Sequence, residues 1–134
     1  MASIRKEEGL RVPAAEAWAA LRDVGSPHRI FAPVLVDSSI DGDIRTVVFA
    51  NGMIVRERIV DIDDEQMRVA YAVIDGAFEH HSASMEIMPD GADRCRFVWI
   101  SDFLPAERIE AVEPLIEAGT QALVRNLEAA AKRT

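Results

Sequence analysis

The residues able to do chemistry from an apolar surface are Glu57, Tyr71, His81 and Cys95. Alternation from Met53 puts Val55, Glu57, Ile59 and Asp61 on one strand face, and Ile54, Arg56, Arg58, Val60 and Ile62 on the other. Two successive arginines suit water, so Glu57 turns inward. A carboxyl group there must be paired or become neutral with a raised pKa. It can orient a ligand or move a proton; on the other reading it pairs with an arginine or is exposed at a bulge. Tyr71, the single tyrosine, shares a face with Met67, Val69 and Val73. Its ring can fill volume while its hydroxyl seeks a polar partner, for which Glu57 is a candidate. His80 and His81 are adjacent, so they point to opposite strand faces and cannot bind one metal together. His81 has the parity of Ala83, Met85 and Ile87, the more apolar face. It is read either as a pocket residue or as a satisfied structural histidine. Cys95 shares a face with Phe97, Trp99, Ser101 and Phe103; with no evident His partner it reads as a small buried side chain.

Other templates for chemistry are missing. His28 is distant from the histidine pair and no HxH or HxxxH spacing occurs, so no metal site is expected. There is no G-x-G-x-x-G, Walker A or G-x-S-x-G pattern. Asp61, Asp63 and Asp64 read as a solvated turn, and Glu107, Glu110, Glu113 and Glu117 as the wet face of a helix. One cysteine rules out an internal disulfide. The formal charge of −8 opposes nucleic-acid and anionic-membrane binding. No apolar run approaches the roughly 20 residues of a membrane span, and Met1 to Leu10 lacks a signal-peptide pattern. A cytoplasmic protein without a cofactor is expected.

Positioning these side chains falls to an ordered series of elements. Ile4 to Val12 predicts a strand, and Pro13 opens a short helix with Trp18, Leu21 and Ala14 on its apolar face. Gly25-Ser26-Pro27 ends it, and His28 to Ala32 predicts another short turn of helix. Strands follow at Val34–Ser39, Ile44–Ala50, Met53–Ile62, Met67–Ile74, His80–Met88 and Arg94–Phe103. The breaks carry turn residues, with Asn51-Gly52 suited to a two-residue hairpin. Pro105 to Arg133 predicts a long helix burying Ile109, Val112, Ile116, Gly119, Leu123 and Leu127, with Lys132 and Arg133 at its favourable cationic end. Pro114 predicts either a kink or a short helix ending before it. A sheet with one apolar face must bury it, and the last helix is the available cover. If the sheet curves strongly, the gap between them is a pocket.

At this level the chain resembles the polyketide cyclase/dehydrase and lipid-transport family of the START-like (SRPBCC, Bet v 1-like) superfamily. The stretches that carry the resemblance are VPAAEAWAALRDVGSPHRIFAPV (residues 12–34), NGMIVRERIVDIDDEQMRVAYAV (51–73), HHSASMEIMPDGADRCRFVWISDFLP (80–105) and the final helix with Gly119 and Leu123. The resemblance implies one α+β domain over residues 1–134 with the helix-grip fold: a curved antiparallel sheet of about seven strands around a long C-terminal helix, with two short helices after the first strand. It also implies an apolar cavity, faced by Glu57 in VRERIV, Tyr71 in VAYAV and Trp99 in FVWISDF. His81 stands where similar members often carry an aromatic residue such as Tyr, which makes the cavity locally more polar or supplies a titrating group.

The expected function is binding or carriage of a small hydrophobic or aromatic molecule. Val55, Glu57, Ile59, Val69, Tyr71 and His81 are the ligand-binding residues expected on the first strands, with Met85, Phe97, Trp99 and Phe103 beyond them. Ile116, Gly119 and Leu123 are those expected on the helix. The alternatives are a cyclase or dehydratase using Glu57, Tyr71 or His81 for proton transfer, and a regulatory or protein-interaction domain. No nucleic acid and no stable membrane insertion are expected, and the protein would be a monomer or homodimer.

Overall fold

A computed structural model describes residues 2–76 and 78–132. The elements are β1 (Ala2–Leu10), α1 (Ala14–Leu21), α2 (His28–Phe31), β2 (Leu35–Asp41), β3 (Ile44–Phe49), β4 (Ile54–Asp63), β5 (Arg68–Val73), β6 (His80–Pro89), β7 (Cys95–Leu104), a single 3-10 turn (Ala106–Arg108) and α3 (Ile109–Lys132). The seven strands form one antiparallel sheet in the order β1-β7-β6-β5-β4-β3-β2. Six successive strands thus make a meander, and β1 returns to pair with β7. Together with α3 this is the helix-grip arrangement that the family resemblance implies.

Local chemistry explains the joints. The carbonyl of Pro13 accepts from the backbone N–H groups of Glu16 and Ala17, so α1 starts directly after the proline. Trp18 and Leu21 bury as expected, but the third buried residue of α1 is Ala17. The β3–β4 connection is a three-residue loop rather than the expected two-residue turn. The Phe49 N–H donates to the Met53 carbonyl at 2.9 Å, and Gly52 sits at φ 90°, a conformation open to glycine. Asp64, read as a solvated turn residue, instead accepts from Trp18 Nε1 at 2.9 Å and Arg22 Nε at 2.7 Å. It fastens α1 to the β4–β5 turn.

Two bulges alter the simple alternation. In β4 the register shifts between Ile59 and Asp61, because Val60 is an extra residue. Glu57 pairs with Val73 and Ile59 with Tyr71, but beyond the bulge Ile62 pairs with Val69. Asp61 and Ile62 therefore exchange the faces assigned by strict alternation, and Ile62 joins the core. In β2 the register shifts between Leu35 and Asp37 around Val36.

The helix α3 runs continuously through Pro114, so of the two expected outcomes the short helix ending before it is not found. Ile109 is exposed at the start of α3 rather than on its buried stripe, which comprises Val112, Ile116, Gly119, Thr120, Leu123 and Leu127, with Ala122 beside it. Arg133 lies outside the described residues. Asn126 Nδ2 donates to the carbonyls of Ile30 and Ala32, both at 2.9 Å, tying α2 against α3. The interior has two packed parts. The larger gathers Leu10, Leu21, Ile87, Phe97, Leu123 and Leu127 under α1 and the C-terminal half of α3. The smaller is Phe103, Val112 and Ile116, and Trp99 touches both.

Candidate functional site

Between the sheet and the N-terminal half of α3 lies a cavity of about 270 Å3. That is close to the lower end, about 300 Å3, of clefts that hold small molecules. Strands β3 to β7 supply its concave wall through residues of one face. These include Val47 and Phe49, Val55 and Glu57, Tyr71 and Val73, His81 and Met85, and Trp99 and Ser101. The opposite wall is Val112, Leu115, Ile116 and Gly119 of α3, with Phe31 from α2 and Phe78 after β5. Exposed Met53, Ile54 and Arg108 stand at its rim.

On the helix side, Gly119 makes room for the Trp99 indole. A Cβ there would lie 3.0 Å and 3.3 Å from two carbons of the Trp99 ring. The indole therefore lies directly against the α3 backbone. Phe31 also packs against it, with ring centroids 5.7 Å apart.

The polar groups on the wall fall into two sets. In the first, Arg45 Nε donates to Glu57 Oε1 at 2.7 Å, both side chains being buried, and Arg45 Nη1 donates to the Val24 carbonyl at 3.2 Å. The two residues face each other across β3 and β4. The guanidinium carbon also lies 5.0 Å from the Tyr71 ring centroid, a cation–π contact. Burial pushes the Glu57 carboxyl above its ordinary value, although Arg45 pulls the other way. Burial first, then the Glu57 charge, pushes the Tyr71 phenol well above its ordinary value. Tyr71 is thus a neutral donor at neutral pH.

The second set is His81, Ser101 and Trp99. His81 Nε2 and Ser101 Oγ are 2.7 Å apart, while His81 Nδ1 is buried without a partner. Burial first, and the neighbouring His80, lower the His81 pKa to about 4, so its ring is neutral. The ring packs 4.5 Å from Phe78 and 5.8 Å from Phe103. Trp99 Nε1 is also buried, and its proximity to Tyr71 produces no hydrogen bond of full geometry. The remaining buried unpartnered side-chain atom among the described residues, Thr120 Oγ1, is not on this wall.

Val55, Glu57, Tyr71, His81, Met85, Trp99, Ile116 and Gly119 thus border the cavity. Ile59, Val69, Phe97, Phe103 and Leu123 do not, and the expectation that they line it is corrected. They lie in the packed layers, where sheet and helix meet without a gap. Their inward parity was correct, but parity does not set the distance to the helix. Sequence reasoning missed Arg45, Ser101, Phe31 and Phe78. Arg45 was detectable, since it alternates with Val47 and Phe49 on one strand face. Phe31 and Phe78 sit outside the long strands and left no periodic signal. Cys95 is buried, with its thiol raised to about 11 by burial, and is no activated nucleophile. Among the described residues no three His, Cys, Asp or Glu side chains converge as metal ligands would, and no helix is long and apolar enough to cross a membrane.

The family described as polyketide cyclase / dehydrase and lipid transport matches residues 1–132. No curated protein matches the chain. Among solved structures, a protein from Thermobifida fusca is 28% identical with a TM-score of 0.73, over 95% of this chain and 93% of that one. The ZhuI aromatase/cyclase from a Streptomyces species is 20% identical with a TM-score of 0.80, over 98% and 94%. Norcoclaurine synthase from Thalictrum flavum, in complex with dopamine and hydroxybenzaldehyde, is 18% identical with a TM-score of 0.69, over 92% and 84%. The latter two show likeness of fold.

Proposed function

Since the chain belongs to the polyketide cyclase / dehydrase and lipid transport family, we propose that it binds and carries a small, largely apolar molecule in the cavity between its sheet and α3. The observation that carries this reading is the hollow itself. It is walled by aliphatic and aromatic side chains, yet two buried polar atoms on that wall have no protein partner. Buried polar groups are ordinarily hydrogen-bonded, so unpartnered ones on residues that line a hollow support a guest that would pair with them. The walls supply affinity through apolar area removed from water, at about 25 cal/mol per Å2. The polar atoms fix the orientation of the guest.

Native mass spectrometry of freshly purified protein, with identification of any released molecule, tests this directly. In parallel, the neutral dye N-phenyl-1-naphthylamine should brighten on adding wild-type protein. Val55→Trp, which fills the cavity from the sheet side, should abolish the signal. An undiminished signal in that variant would put the dye elsewhere and overturn the reading.

A catalytic reading has narrower support. Neutral Tyr71 is suited to donate to a carbonyl, and the unpartnered His81 Nδ1 can take a proton in the tautomer that carries its hydrogen on Nε2, as a weak base. Glu57 is held by Arg45 and is the poorer base. Unchanged turnover of a converted compound in Tyr71→Phe and His81→Asn would remove this alternative.

A further inference from the structure

The two polar sets on the wall differ in what they leave available. Arg45 spends Nε on Glu57 and Nη1 on the Val24 carbonyl, so the pair is internally neutralised. The other cation bordering the hollow among the described residues is Arg108, exposed at the rim. A carboxylate drawn deep into the cavity would find no free counter-charge, would meet Glu57, and would enter a chain of formal charge −8. Burying an unpaired charge is strongly unfavourable. By contrast, Trp99 Nε1–H is buried with no hydrogen bond of full geometry, even to the nearby Tyr71 hydroxyl, and an indole N–H can only donate. It requires an acceptor. His81 Nδ1 is adaptable: the Ser101 hydroxyl either donates to Nε2, leaving Nδ1 as an N–H donor, or accepts from it, leaving Nδ1 as an acceptor. Met85 pairs with Trp99 and Ala83 with Ser101 across β6 and β7, which puts the indole, the hydroxyl and the imidazole on one patch of wall.

We infer that the cavity selects an uncharged ligand bearing a carbonyl-type oxygen, which Trp99 Nε1–H recognises with His81 Nδ1 as the adaptable second contact, and that it rejects carboxylates. This deepens the carrier reading and rests on it. Trp99 and His81 are then specificity-determining residues, and the Arg45–Glu57 pair is a barrier to anions.

Three compounds of nearly equal size separate the possibilities: 2-acetylnaphthalene, 2-ethylnaphthalene and 2-naphthoate, titrated calorimetrically into the full chain at neutral pH. The ketone should bind about ten-fold tighter than the hydrocarbon, matching one recovered hydrogen bond. It should bind at least about ten-fold tighter than the carboxylate. Trp99→Phe should cancel the preference for ketone over hydrocarbon while hydrocarbon binding persists. A second readout uses wild-type protein alone. The Trp99 indole proton should move downfield in the NMR spectrum with the ketone and stay in place with the hydrocarbon. Failure of all three compounds to bind would overturn the cavity reading and this inference with it. Equal binding of ketone and hydrocarbon, tightest binding of naphthoate, or an unmoved indole proton would overturn this inference alone.

Discussion

The two halves of the interior use the same sheet face and the same helix to opposite ends. Towards the C-terminus of α3, Leu123 and Leu127 reach the sheet and close on Phe97 and Ile87 without leaving space. Towards its N-terminus the helix presents Gly119, against whose bare backbone Trp99 packs, and Tyr71 and a buried ion pair border the hollow beside that contact. One half holds the fold together and the other keeps a hollow open. Binary patterning alone makes both halves look alike, because their residues are equally inward and nearly equally apolar. What distinguishes them is side-chain length on the helix and curvature of the sheet.

The largest test of that contrast is Phe97→Ala in the packed half. It should cost about 3–5 kcal/mol in chemical denaturation, as for other fully buried aromatic residues. Val73→Ala on the cavity wall should cost about 1 kcal/mol or less, since the lost methyl groups are only half-buried. Equal losses at the two sites would erase the distinction.

Arg45→Met should come close to the Phe97 effect, at about 3–5 kcal/mol at neutral pH, because it leaves Glu57 buried and unpaired. The sign of its pH dependence is fixed by the raised Glu57 pKa. The folded protein then holds the proton at pH values where the unfolded chain has released it. Stability therefore falls as pH rises above the ordinary carboxyl value of 4.5. Losing Arg45 should steepen that fall, and Glu57→Gln should abolish it. Melting temperatures across pH 4–8 check both.

His81 contributes with the opposite sign. Its pKa falls from 6.5 to about 4, so the unfolded chain takes up a proton that the fold refuses. Stability present above pH 6.5 should be lost as pH falls towards 4. The loss should be on the order of 1–2 kcal/mol once partial exposure is allowed for. Denaturation of His81→Phe between pH 6.5 and 4 should give a flatter slope; an unchanged slope would reject the assignment.

Gly119→Ala should change stability least. The gain in helix propensity of about 1 kcal/mol is set against crowding of Trp99. Its mark should instead be on the hollow. The added methyl displaces the indole, and N-phenyl-1-naphthylamine fluorescence should fall several-fold with little change in melting temperature.

Much of this was legible in the chain. Period-two alternation put Phe97, Trp99, Ser101 and Phe103 together, chose His81 over His80, and turned Glu57 inward. Three features were not legible, each for a physical reason. The bulge at Val60 needs no signature residue, yet it swaps the faces of Asp61 and Ile62. The Asp64 link to Trp18 joins residues far apart in sequence, and no local pattern encodes it. Whether an inward residue meets helix or empty space depends on how far the sheet bends away. That is why Ile59, Val69 and Leu123 looked like cavity residues and are core.

The β2 margin of the sheet has a consequence for life in a crowded solution. An open sheet ends in a row of unpaired amide and carbonyl groups, a template onto which another chain can zip. Val36 interrupts that row with its extra residue, and Asp37 and Asp41 follow it with charge. The uneven border and its aspartates offer a second molecule a poorer template than a flat, uncharged strand would, which offsets the exposed Val36 and Ile40 on the same strand.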